Sequence, residues 1–160
     1  MKRVTCLTLL VPLVLLLAVL APLPASSTDA ADGMVDVPSA YSVKVSAERV
    51  ERILKEKGMT VFNRIKHSEA ASKVGAELRD TELILFGNPK VGTTLMKCAQ
   101  SAAIDLPQKA LIWEDATGAV WISYNAPQYL ANRHGMTGCE GVISKVERAL
   151  DGIAKAAASR

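Results

Sequence analysis

The rhythm of apolar and polar positions changes several times along the chain, and each change predicts an element. Residues 4–20 form an apolar run without a charge, broken only by Thr5, Thr8 and Pro12. Lys2 and Arg3 precede it, and Ala21-Pro22-Leu23-Pro24-Ala25 follows with helix breakers and small residues. Together these are the parts of a secretory signal peptide, residues 1–25, with cleavage expected after Ala25 and Ala30 or Ala31 as alternative sites. An uncleaved membrane anchor is the competing reading, because the run is close to the shortest that spans a bilayer. Residues 26–37 are rich in Ser, Ala, Asp and Gly with no apolar period. They read as a flexible linker. One domain is expected over residues 38–155, with 156–160 frayed.

Within that domain Tyr41, Val43 and Val45 alternate with Ser42 and Lys44, which predicts a half-buried strand. Ser46 then caps a helix over 47–57, with Val50, Ile53 and Leu54 on one face and Gly58 as its stop. A second strand is expected over 59–66, ended by His67, and a short helix over 68–74 stops at Gly75. Residues 82–86 are a continuous apolar strand running into Gly87-Asn88-Pro89. Asn88 is a good N-cap and Pro89 a good first helical residue, so a helix follows to Cys98. Residues 109–114 and 120–124 form a hairpin around Asp115-Ala116-Thr117-Gly118. A brief helix over 126–133 closes at Gly135. Thr137 and Glu140 have the spacing of a capping box. They open a last helix with a stripe of Val142, Ile143, Val146, Ala149, Leu150 and Ile153. The expected fold is α+β: a compact single domain with an antiparallel sheet and helices mainly on one face.

Composition narrows the function classes. At 160 residues, 49% hydrophobic and 22% charged, the chain is long enough to bury one core. Two of the charges behind its formal +3 are Lys2 and Arg3. No cluster of Lys or Arg remains that would displace counterions from phosphates, so no nucleic-acid partner is expected. Cleavage would leave two cysteines, Cys98 and Cys139, an even pair that invites a disulfide in an oxidising compartment. Two separate buried thiols are the alternative.

Few residues carry obvious chemistry. Residues 87–94 nearly match a phosphate-binding loop, but Thr93 stands where the lysine is needed and Pro89 removes a donor. A nucleotide triphosphatase is excluded. What remains is a helix start that holds a small anion through Asn88, Lys90 and Thr93, or a tight turn serving geometry alone. His67 and His134 both fall at element ends, where Asp105 would complete an acid–base set or a two-His-one-carboxylate site. Their separation in sequence gives no metal spacing, so no metal site is assigned, and the cofactor is unknown. His134 also suits a helix C-terminus as a cation. Trp113 and Trp121 suit cross-strand packing, with Tyr124 beside them in the hairpin. Ser123 lacks the context of a hydrolase elbow.

Five stretches resemble one known family. They are Gly58-Met-Thr-Val-Phe-Asn-Arg-Ile-Lys-His67, Thr81-Glu-Leu-Ile-Leu-Phe-Gly-Asn-Pro-Lys-Val-Gly-Thr93, Ile104-Asp-Leu-Pro107, Ala110-Leu-Ile-Trp-Glu-Asp115 and Val120-Trp-Ile-Ser-Tyr-Asn125. In order and over residues 42–154, they are similar to domain of unknown function 302. The resemblance implies a compact α+β fold and no activity. It draws attention to His67, Gly87, Asn88, Pro89, Gly92, Thr93, Asp105, Pro107, Trp113, Tyr124 and His134. The cysteine pair stands outside the pattern. The leading expectation is a non-catalytic module in the periplasm or secreted, binding a small molecule or anion near His67, Asn88, Lys90, Thr93, Asp105, Tyr124 and His134. An enzyme using His67 or His134 with Asp105 is the alternative. A metal or redox protein is disfavoured by the missing Cys-x-x-Cys and paired histidines. A homodimer through a sheet edge rests on fold analogy alone.

Overall fold

The computed structural model describes residues 33–160; the expected signal peptide and the first part of the expected linker lie outside them. The first element is a strand, β1 (Met34–Ser39). It occupies the end of the expected linker and pairs antiparallel with residues 120–125, far along the chain. Its local pattern is weak because its order comes from that distant partner.

Helix α1 (Val43–Glu56) follows, capped by Ser42 through the Val45 amide. A strand was expected over 41–45. The alternation there is real but short, whereas Val43, Ala47, Val50 and Leu54 recur at helical spacing and all are buried. Ser46, the expected cap, lies inside the helix, fully buried, and shares a 2.7 Å hydrogen bond with Ser39. Gly58 ends the turn with φ +67, a conformation open to glycine at little cost.

Next come β2 (Thr60–Lys66), α2 (His67–Lys73), β3 (Thr81–Gly87) and α3 (Pro89–Cys98). A 3₁₀ helix (Gln100–Ile104), β4 (Gln108–Glu114), β5 (Val120–Asn125), α4 (Pro127–Arg133) and α5 (Glu140–Ala158) complete the domain. All five strands pair antiparallel in the order β1-β5-β4-β3-β2. The chain is thus α+β, as its pattern implied.

Alternation sorts the sheet into two faces. Ile84, Phe86, Ala110, Ile112, Ile122 and Tyr124 point to one face and join α1 and α5 in the core. On the other face Trp113 and Trp121 are direct cross-strand partners. Their indoles donate to Ser123 Oγ and to Asp115 Oδ2, each at 2.8 Å. Asp115 also accepts from the Thr117 hydroxyl and from the Thr117 and Ala119 amides, closing the hairpin turn.

Helix α5 differs from expectation at both ends. Cys139, not Thr137, is its N-cap, and Glu140 accepts from the Gly138 amide instead of completing a capping box. Its last turns are ordered where fraying was expected. Ala157 and Ala158 are buried, and Arg49 donates to the carbonyls of Ala156, Ala157 and Ser159 at 2.7–3.0 Å. Those carbonyls have no partner inside the helix, so the guanidinium supplies one. Cys98 and Cys139 are bonded, joining the last residue of α3 to the start of α5 across 41 positions.

Two outcomes follow. The Thr117 hydroxyl, then the Trp121 indole, hold the Asp115 carboxyl well below the usual carboxylate range. Its stabilisation is therefore complete above about pH 4 and is lost as pH falls through the depressed folded value. Asp115→Asn should flatten the acid limb of melting temperature against pH; an unchanged limb contradicts this. Replacing Cys98 and Cys139 together by Ser should cost about 2–4 kcal/mol, read from the urea midpoint. An unmoved midpoint would mean the bridge constrains little.

Candidate functional site: an apolar cavity under helix α3

Strand β3 ends at Gly87, and the chain turns into α3 with Asn88 accepting from the Lys90 amide at 3.0 Å. Pro89 fixes the first helical residue. Helix α3 then runs over the end of the sheet beside α5. Beneath it lies a cavity of about 670 Å³, within the range that holds a small organic molecule.

Its walls follow from helical spacing. Helix α5 contributes Val142, Val146, Ala149 and Leu150, one continuous stripe. Helix α3 contributes Val91, Leu95 and Met96, and the sheet supplies Leu85 and Phe86. The segment around the cis Leu106–Pro107 bond forms the remaining wall. Phe62 and Val91 line the cavity although 54% and 37% exposed, which leaves apolar surface at its mouth. Met59 and Met96 add flexible thioether chains that adapt to different shapes. Gly92 faces the cavity from within α3. A Cβ there would meet only Leu106 at 3.9 Å, so the missing side chain is part of the free volume.

The wall opposite α5 is pinned by polar contacts. Asp105 Oδ2 lies 2.6 Å from His134 Nε2, and His134 Nδ1 lies 3.0 Å from Ser101 Oγ. A neutral ring that donates to Asp105 from Nε2 accepts the Ser101 hydroxyl at Nδ1. Arg133 places a cation 3.4 Å from Asp105 Oδ1. Lys109 Nζ donates to the carbonyls of Asp105 and Pro107 at 2.7 and 3.1 Å. His134 is also the C-cap of α4, so the network ties the 3₁₀ segment to the corner before α5.

The residues singled out from sequence divide into groups. Asn88 and Thr93 line the cavity. Lys90 is an exposed residue of α3 outside the lining. Asp105 and His134 are brought together, but in the wall network. His67 opens α2, exposed, and joins no hydrogen bond or ion pair among the described residues. Tyr124 is buried in the core; burial, then the Asp151 and Glu147 charges, push its phenol up to about 12. Among the described residues no three of His, Cys, Asp and Glu group as a metal site.

Sequence reasoning passed over Ser101, Lys145 and most of the apolar lining. The stripe of α5 was visible but read as core. Most of it is: Ile143, Val146, Leu150 and Ile153 are buried in the core, while Val142 and Ala149 face the cavity. Glycine at 87 and 92, flanking an N-cap, was the available signal for space.

Among curated proteins, the chain is 46% identical over 104 residues to "Fluoride-specific ion channel FluC 1" of Brucella suis biovar 1. It is equally identical to proteins of that type from Brucella abortus and Brucella melitensis. The matches cover 65% of this chain but only 41%, 38% and 38% of those proteins, so the chain spans about two fifths of their length. No helix among the described residues is long and apolar enough to cross a membrane. Among solved structures, an uncharacterised DUF302 protein from Bacillus stearothermophilus superposes with a TM-score of 0.72 at 17% identity. That match covers 79% of this chain and 99% of the other, a likeness of fold. With the family model matching residues 35–156, the chain belongs to DUF302, a family of domains of unknown function.

Proposed function

We propose that this chain is an exported, non-catalytic binding module whose cavity takes a small, mainly apolar molecule. The cavity itself is the observation that carries the reading: about 670 Å³ walled largely by aliphatic side chains, methionines and phenylalanine, with apolar residues at the mouth. Burying a ligand's apolar surface there supplies the affinity, and Asn88, Thr93 and Gln108 supply polar contacts that orient it. A cysteine pair fits an oxidising compartment, which supports export. The name of the Brucella relatives raises fluoride as a ligand. A small hydrated anion gains little from aliphatic walls and loses its water there, so fluoride is not the occupant we propose.

A second reading, acid–base chemistry, is favoured by one observation. Ser101, His134 and Asp105 form a continuous hydroxyl–imidazole–carboxylate chain. Against it, none of the three lines the large cavity. The binding reading makes the network a fastener for the cavity wall.

Titration with N-phenyl-1-naphthylamine, whose fluorescence rises in apolar surroundings, tests the first reading. Wild type should bind it. Gly92→Leu fills the space beside Leu106 and should weaken binding at least tenfold. Its stability should hold or rise, because Leu favours helix over Gly by up to about 1 kcal/mol. Equal binding by both proteins, or none by wild type, contradicts the proposal. For the second reading, a fluorophosphonate reagent should leave Ser101 unlabelled. His134→Ala should lower stability by roughly 2 kcal/mol, because it removes the Asp105 carboxylate's nearest partner and leaves only the longer Arg133 contact. Ser101 labelling that vanishes in His134→Ala would make the network catalytic.

A further inference from the structure

The cavity carries one charge. Of the side chains lining it, Asn88, Thr93 and Gln108 are neutral polar groups, and Lys145 alone is ionised. Lys145 stands on α5 between Val142 and Val146, in the stripe that forms one wall. It is exposed, and among the described residues it has no hydrogen-bond or ion-pair partner. Lys44, Lys55, Lys57, Lys90 and Lys97 are likewise unengaged among the described residues, so what sets Lys145 apart is its place in the cavity wall. An unengaged ammonium beside an otherwise uncharged apolar hollow pairs best with an occupant bearing one anionic end.

From this placement we infer that the occupant is a monomeric, single-chain anionic amphiphile, a fatty-acid-like molecule. Its hydrocarbon lies between α3, α5 and the sheet, and its head meets Lys145. This rests on the binding reading above and adds the charge and shape of the ligand. The volume suits one flexible chain, and Met59 and Met96 accommodate its bends. Lysine keeps its head in water while its stem lies along apolar surface, so it can meet a carboxylate at the mouth without burying a charge. The pairing is part-exposed, so its contribution is modest and chain burial dominates affinity.

The test compares dodecanoate, dodecanol and dodecyltrimethylammonium, each below its micelle concentration, by displacement of N-phenyl-1-naphthylamine. Wild type should bind the carboxylate about fivefold to tenfold more tightly than the alcohol and the ammonium compound most weakly. Shortening the acid by one methylene should weaken it by about fourfold. Lys145→Gln, which keeps most of the stem and removes the charge, should abolish the preference for the acid over dodecanol. Lys145→Glu should favour the ammonium compound. Both variants change an exposed side chain, so unchanged melting curves are expected and confirm that the fold persists. Dodecanol binding with no preference for the acid would overturn this inference and leave the apolar cavity standing. No binding by any of the three would overturn both. Protein that pellets with phosphatidylglycerol vesicles yet ignores the monomeric acid would assign Lys145 to a bilayer surface and overturn the inference.

Discussion

Helix α5 governs this domain, because one continuous element both closes the core and leaves it open. Its C-terminal half presents Ile153, Ala154, Ala157 and Ala158, all buried, and its end is fastened by Arg49 and by the Ala40 amide on the Ala158 carbonyl. Small side chains there permit full coverage of the sheet. Its N-terminal half adds Ile143 and Val146 to the core and also presents Val142, Lys145, Val146 and Ala149 to a cavity. The same helical period thus yields packed interior along the whole helix and, toward its N-terminal end, a lined hollow beside it. The difference is set by what faces it: α1 and the sheet in one case, α3 in the other.

A hollow of this size forfeits dispersion contacts along its lining, and such a void tends to collapse. The structure resists that through restraints at the cavity's edges. The Cys98–Cys139 bridge ties α3 to α5. The Asp105–His134–Ser101 chain ties the 3₁₀ segment to α4. Lys109 gathers the carbonyls beside the cis peptide. None of these groups needs to touch a ligand; each keeps a wall where it is.

Much of the fold was legible before any coordinates. The Asp115 turn, the Asn88-Pro89 cap and the helix stops at Gly58 and Gly135 are fixed by neighbours within a few residues, and strands β2 to β5 show in the local apolar pattern even though their pairings reach further. What failed was non-local. Met34–Ser39 becomes a strand because residues 120–125 offer an edge, and the last turn of α5 is held by Arg49 reaching it from α1 and by the Ala40 amide. The Tyr41–Val45 alternation competed with a longer helical period and lost to the burial of Val43, Ala47 and Val50. The site was legible only in part. Asn88 and Thr93 announce a turn, and Asp105 and His134 meet as a pair, but a cavity is a gap between elements and has no signature in any one of them. Polar residues drew attention, whereas the hollow is built from Val, Leu, Met, Phe and absent glycine side chains.

A binding function requires that hollow to be an occupied site in solution, not a packing remnant. The most direct measurement is a methyl-resolved nuclear magnetic resonance titration with dodecanoate. Saturable shifts should appear at methyl groups lining the cavity, Leu95, Met96, Leu106, Val142 and Val146 among them. Those of Leu83 and Leu111 on the opposite sheet face should stay still. Shifts centred on that opposite face, or none at all at saturating acid, would contradict it.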